Sequence, residues 1–210
     1  MNFYTHQLFS KVVFETQLDY SKKELDNFIN IFKKFKIKDT AEIKHNTKAS
    51  ETKYILNNKK FKSLKNNLLK QFNLFKDNVL KYENTNFDIT TSWLAISNEK
   101  DLGISHNHRN SFYSGIFYLK TPENCGDVQF QNYESNNFYI EPTVKNSYNS
   151  TQWQFKVKEN LLLFFPSELY HTILKNNSKS NRISLAFNIV PKGKFGYSDS
   201  ELHIMPLDNI

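Results

Sequence analysis

Near residue 87 the hydrophobic pattern of this chain changes period. From Phe87 onward five short β-rich segments follow one another, "FDITTSWLAIS", "SFYSGIFYLK", "GDVQFQNY", "ENLLLFF" and "RISLAFNIV", with glycine and proline between them in "TPENCGD" and "FPSEL". Aromatic and β-branched runs of this length, broken by turn residues, read as antiparallel strands. Each such strand must bury a face, so the pattern predicts a sandwich or barrel. Before residue 87 the period is helical instead. In "DYSKKELDNFINIFKKF", Ser21 and Glu24 have capping-box spacing, and Leu25, Phe28, Ile29, Phe32 and Phe35 fall on one helical stripe. Phe61, Leu64, Leu68, Phe72, Phe75 and Val79 make a second stripe. The intervening "KDTAEIKHNTKASETKYILNN" reads as loop, with His45 on the surface. The expectation is a mainly β fold with N-terminal helices, the helices covering the outer face of one sheet.

No internal repeat, low-complexity tract or linker divides the 210 residues. A chain of this size buries about 70% of its unfolded surface around one core, so we expect a single domain: a helical support region at 1–86, a β core at 87–190 and a C-terminal tail at 191–210. Cys125 is the only cysteine, which excludes an internal disulfide framework and a four-cysteine zinc site and suits a reducing compartment. The first residues, "MNFYTHQLFSKVVFETQ", lack the basic start and apolar run of a signal peptide. No apolar run approaches the roughly 18 residues of a membrane span, so a cytoplasmic location is expected. The net charge of +7 raises the question of nucleic acid. That charge is almost all lysine, as in "KKFKIK", whereas phosphate-reading surfaces recruit arginine. We read the lysines as solvated helix faces and do not favour a nucleic-acid partner.

Chemistry concentrates in the β half. "SHNHRN" sets His106 and His108 two apart, beside Arg109, and on a strand residues two apart point the same way. His171, at the end of an apolar strand in "FFPSELYHTILKNN", is the best third ligand. Three neutral imidazoles hold Zn, Fe, Ni or Cu and leave coordination positions open. In "RISLAFNIV", alternation places Arg182, Ser184, Ala186 and Asn188 on one face and Ile183, Leu185, Phe187 and Ile189 on the other. The apolar face packs on another layer. The polar face lines a pocket, where the fork of Arg182 can hold a carboxylate through two parallel hydrogen bonds. Arginine occurs only at 109 and 182, both beside these motifs.

The series H-x-H, "SGIFYLK", "GDVQF", "FPSELYH" and "RIS" resembles the double-stranded β-helix core, a jelly-roll or cupin-like fold, of the Fe(II)/2-oxoglutarate-dependent oxygenases, and more narrowly a group of bacterial and phage oxygenases. It covers roughly residues 87 to 190. The resemblance implies Fe(II), 2-oxoglutarate and O2 as cofactors, with His106 and His171 as iron ligands. Arg182 and Ser184 would bind the far carboxylate of 2-oxoglutarate, and Tyr118 would add a hydrogen bond. The implied reaction is oxidation of a substrate C–H bond, by default hydroxylation, with release of succinate and CO2. The usual first motif of that superfamily is H-x-D or H-x-E; here the carboxylate position is His108. Three readings stand: His108 ligates, Asp101, Asp127 or Glu168 supplies a carboxylate, or the site is degenerate and the chain is a binding protein. We favour the first.

Ser105, Asn107 and Asn110 lie nearest in sequence to orient the imidazoles. A cupin-type dioxygenase or isomerase also uses H-x-H and a later histidine, but no glutamate follows His108 at a short interval, and Glu168 stands where that motif wants glycine. The substrate, whether small molecule, peptide, sugar or nucleobase, is expected to meet Arg109 and Asn188. A loop or hairpin formed by "ESNNFYIEPTVKNSYNSTQWQF" is expected over the pocket mouth.

Overall fold

The computed structural model describes residues 3–6, 8–39, 47–133 and 140–204. Helix α1 (Lys22–Phe32) begins at the expected capping box: Ser21 Oγ accepts from the Glu24 amide, and a Glu24 carboxylate oxygen accepts from the Ser21 amide at 2.8 Å. It buries Leu25, Ile29 and Phe32. Helix α2 (Lys62–Phe75) buries Leu64, Leu68, Phe72 and Phe75 and passes into a π-helical turn at Lys76–Leu80, closed by Lys81 with φ 60°. The turn rotates Val79 off the stripe, leaving it 51% exposed.

Among the described residues, eleven strands form two sheets. In chain order they are β1 (Phe14–Gln17), β2 (Ile37–Asp39), β3 (Lys48–Ser50), β4 (Asn86–Ser97), β5 (Tyr113–Lys120), β6 (Val128–Gln131), β7 (Gln152–Phe155), β8 (Leu161–Pro166), β9 (Tyr170–Ile173), β10 (Arg182–Phe195) and β11 (Leu202–Ile204). The large sheet runs β1-β8-β5-β10-β4-β3-β2, with β11 on the far end of β10; the small one runs β7-β6-β9. All five predicted segments are strands. The supposed loop after α1 differs from expectation: its described ends are β2 and β3, which extend the large sheet beyond β4, and His45 lies outside the described residues. β10 continues past residue 190 to Phe195 and pairs with β11 through Gly193↔Ile204 and Phe195↔Leu202, so the tail begins inside the sheet. The predicted substrate loop is described only at residues 140–155, and Glu134 to Tyr139 lie outside the described residues.

Alternation sorts the large sheet into two faces. Tyr113, Phe117, Phe164, Leu185, Phe187 and Ile189 pack beneath α1 and α2 in one apolar cluster, while Ile116, Tyr118, Leu163 and Phe165 pack between the sheets with Val128, Phe130 and Leu169. Full burial of each of these side chains contributes about 1.5–3 kcal/mol, so the two clusters hold the β10–β5–β8 centre rigid from both sides. Among the described residues, no helix is long and apolar enough to cross a membrane.

Candidate metal centre

The three histidines meet at one end of the space between the sheets. Their ligand nitrogens all lie within 4.8 Å of one another, and among the described residues they form the only such cluster of histidine, cysteine and carboxylate groups. His171 is on β9, where its amide and carbonyl pair with those of His106 at 2.9 and 3.0 Å. The H-x-H segment is therefore an added edge beside β9 rather than a regular strand of its own. Gly103 N donates to Ile173 O at 2.9 Å and His108 N to Ser167 O at 2.9 Å, which sets the register from both ends. Asn176, fully buried, ties the turn before it: Nδ2 donates to Ser97 O at 2.9 Å, and its amide donates to Asp101 O at 2.9 Å.

Each imidazole keeps its Nδ1 on an oxygen. His106 Nδ1 donates to Ile104 O at 2.9 Å, His171 Nδ1 to Leu169 O at 3.1 Å, and His108 Nδ1 stands 2.7 Å from Asn188 Oδ1 and 2.8 Å from Ser114 Oγ. A carbonyl only accepts, so in the neutral form of His106 and of His171 the proton sits on Nδ1 and the lone pair on Nε2. Burial pulls His106 below the ordinary histidine value. Burial first, with the neighbouring His106, pulls His108 down to about 4 against the opposing effect of its hydrogen bond to Asn188 Oδ1. Neutral imidazoles are what a metal needs. Phe165 packs edge-on to His171 at 4.8 Å and Trp93 tilts against His108 at 5.4 Å, so the rings have little room to turn.

The expected orienting residues do not serve. Ser105 bonds Gln131 and Tyr133, Asn107 reaches Glu168 O at 3.4 Å, and Asn110 sits in an exposed turn with φ 59°. Main-chain carbonyls do this work for His106 and His171, which no side-chain motif announces. The candidate carboxylates are also elsewhere: Asp101 caps the Asn98 amide at 2.7 Å, Asp127 accepts from Val157 N and Gln154 Nε2, and Glu168 is exposed. Arg109 is exposed in the turn after His108 and does not line the cavity; Asn188 lies behind His108, not at the mouth.

A cavity of about 130 Å³ runs from the histidines past Trp93, Ile116 and Ala186 to Arg182 and Ser184, with Lys53 at its rim. Arg182 is 2% exposed, and its guanidinium is fixed on one side by Gly126 O at 2.7 Å and Cys125 O at 3.5 Å. Among the described residues no carboxylate pairs with it, and its Nε has no hydrogen-bond partner. The Tyr118 hydroxyl nearby is likewise buried without a partner. Burial raises the Tyr118 phenol well above its ordinary value, with the Arg182 charge pulling the other way, so it remains a donor. A buried cation and two orphaned donors fit a carboxylate ligand at this end. Three clustered imidazoles fit a divalent metal at the other.

Sequence reading placed Trp93 in the apolar wall segment "SWLAIS" but missed Lys53, Ser114, Ser167 and Gly126. Alternation along "FDITTSWLAIS" and "SFYSGIFYLK" holds a signal for Trp93 and Ser114, which share faces with Ala95 and with Tyr118. Nothing local marks Lys53, Ser167 or Gly126.

Residues 91–188 match the model of a family described as "Putative 2OG-Fe(II) oxygenase". No curated protein matches the chain in sequence. Among solved structures, the chain resembles an oxidoreductase of the 2OG-Fe(II) oxygenase family from Burkholderia pseudomallei, with TM-score 0.59, 10% identity, and 85% of this chain and 83% of that one covered. HygX from Streptomyces hygroscopicus, solved with nickel and 2-oxoglutarate bound, gives 0.55 and 11%, covering 85% and 82%. A Pseudomonas putida prolyl-4-hydroxylase gives 0.57 and 11%, covering 84% and 91%. At these identities the likeness concerns the fold, a double-stranded β-helix. Family match, fold and histidine cluster agree: over residues 91–188, just under half of its length, the chain is similar to the 2OG-Fe(II) oxygenases, and its described residues bring three histidines together.

Proposed function

We propose that this protein hydroxylates a C–H bond of its substrate at an iron held by His106, His108 and His171, with 2-oxoglutarate anchored by Arg182, Ser184 and Tyr118. The observation that carries the reading is Arg182: a buried guanidinium with no carboxylate paired to it among the described residues and an orphaned Nε, opening into the same cavity as the three histidines. An unpaired buried charge costs several kcal/mol, so the pocket is built for an anion. When bound, Fe(II), 2-oxoglutarate and O2 supply the oxidant: one oxygen atom goes to the substrate, the other to succinate, and CO2 leaves. The chain's own part is positional. Gly126 and Cys125 carbonyls aim Arg182 at the carboxylate, Trp93 and Ile116 keep water from the cavity wall, and the Nδ1 partners hold the imidazoles in one orientation.

On the substrate side, Lys53 Nζ sits 5.7 Å over the Trp93 ring at the rim, a setting for a substrate with a planar or anionic group. Arg109 stays a candidate for a more distant part of a large substrate. We take the class to be small molecule, peptide, sugar or nucleobase, without favouring nucleic acid. A reducing, cytoplasmic setting belongs to the same reading, supported by the buried, disulfide-free Cys125.

The test is an anaerobic titration with Fe(II) and then 2-oxoglutarate, following the weak visible absorption of their chelate. We expect the band in the wild type, none in His171→Ala, and in Arg182→Ala a 2-oxoglutarate affinity weaker by about 2–5 kcal/mol, at least roughly 30-fold. Absence of the band in iron-loaded wild type sinks the reading. The all-histidine donor set would then favour a cupin-type dioxygenase or isomerase; failure to take up any metal would leave a binding protein.

A further inference from the structure

His108 stands where the family's usual motif has a carboxylate, and it differs from the other two histidines in how its proton is placed. His106 and His171 each donate Nδ1–H to the carbonyl two residues upstream, Ile104 O and Leu169 O. His108 does not repeat this arrangement: the carbonyl two residues upstream of it, His106 O, accepts from His171 N at 2.9 Å, and the oxygens within reach of His108 Nδ1 are those of Ser114 and Asn188. His108 therefore takes its partner from side chains. We propose that Asn188, braced by Thr91, is a positioning residue that sets the tautomer of His108 and so turns it into a neutral Nε2 donor in place of a carboxylate. The proposal rests on the metal-centre reading above and goes beyond it.

Two oxygens contact His108 Nδ1, and they pull in opposite directions. Ser114 Oγ, 2.8 Å away, can donate or accept. If it donated to Nδ1 the imidazole proton would move to Nε2 and block the metal position. Asn188 Oδ1 lies 2.7 Å from Nδ1 and 2.9 Å from Ser114 Oγ, while Asn188 Nδ2 donates to Thr91 Oγ1 at 2.9 Å. A carboxamide oxygen at that distance attracts Nδ1 only when Nδ1 carries hydrogen. It also takes the Ser114 proton, so Ser114 turns its lone pairs toward Nδ1 and toward Ser167 Oγ at 2.8 Å. Ser114 and Ser167 are fully buried, which keeps water from substituting in the network. Thr91 matters because it fixes which end of the amide faces His108.

The deciding measurement reads the tautomer itself: long-range 15N–1H NMR of the metal-free full-length chain, paired with zinc titration. We expect Nδ1–H at all three histidines in the wild type. In Asn188→Leu, Ser114 is left as the sole side-chain partner, the His108 proton moves to Nε2, and zinc affinity falls roughly 10–100-fold. Asn188→Asp keeps an acceptor at Nδ1 and binds zinc at least as well as wild type. Ser114→Ala alone stays within a few-fold. Adding Ser114→Ala to Asn188→Leu removes the wrong-way donor and recovers part of the loss, which a merely structural role for Asn188 would not do. Nε2–H at His108 in the wild type, zinc affinity of Asn188→Leu within twofold, or Asn188→Asp as weak as Asn188→Leu each overturns the proposal. If wild type takes up no zinc, the metal-centre reading fails, and the NMR tautomers still decide the role of Asn188.

Discussion

Tyr118 and Arg182 carry polar atoms that are buried without partners, and such atoms are rare in folded proteins unless something else completes them. For Tyr118 the consequence can be separated from the fold. An unsatisfied buried hydroxyl costs about 1–3 kcal/mol, while a hydrogen bond to a charged group is worth about 1.5–3 kcal/mol. Tyr118→Phe is isosteric inside the apolar cluster of Val128, Leu161 and Phe165, so the ligand-free variant should melt at or above the wild-type temperature. Its 2-oxoglutarate affinity should fall roughly tenfold. Melting curves of the zinc-loaded proteins with and without 2-oxoglutarate would show the order of stabilities reverse. A variant less stable in both states would mean that the hydroxyl already has a partner in the folded chain.

Elements near the site depend on turns as much as on strands. Between β5 and β6, Gly126 has φ +81°, and a Cβ there would stand 2.0 Å from Leu174 O. Its own carbonyl holds Arg182. Gly126→Ala should thus cost more than about 1 kcal/mol of stability and also weaken 2-oxoglutarate binding. Gly193→Ala is the control: φ is +88°, nothing lies within 4 Å of its Cβ, and the carboxylate pocket is not involved, so chemical denaturation should report a loss while ligand affinity holds. Equal ligand effects in the two variants would refute the turn's role. The long strands were legible from sequence because each buries a repeating face: "SGIFYLK" and "RISLAFNIV" show their two sides as alternating residue types. Both helices were legible from their stripes and, for α1, its cap. The short strands β1, β2, β3, β7, β9 and β11 were not: each has at most four residues and owes its pairing to the partner strand, whereas β6, equally short, shows its alternation in "VQFQ". His106, His108 and His171 could be grouped from their order. What orients them could not, since two partners are main-chain carbonyls and the third, Asn188, comes from a distant strand.

At the scale of the whole molecule, electrostatics joins the two ends of the cavity. Three neutral imidazoles add no negative charge to a divalent metal, Arg182 adds a positive charge at the far end, Lys53 another at the rim, and no carboxylate joins the histidine cluster among the described residues. The loaded but cosubstrate-free cavity is therefore strongly positive inside a chain whose net charge is already +7. A dianion such as 2-oxoglutarate relieves this, so metal and 2-oxoglutarate should strengthen each other's binding by the same factor, as linkage requires. Couplings of this kind are about 1–3 kcal/mol, roughly 5- to 150-fold, and the all-histidine set argues for the upper part of that range. Calorimetric titration of zinc into the chain with and without saturating 2-oxoglutarate measures it directly. His108→Glu, which returns a negative charge to the metal's surroundings, should bind zinc more tightly alone and gain less from 2-oxoglutarate. If wild type and His108→Glu show the same coupling, the interaction arises from chelation geometry alone, and the missing carboxylate has no electrostatic consequence for how the site is loaded.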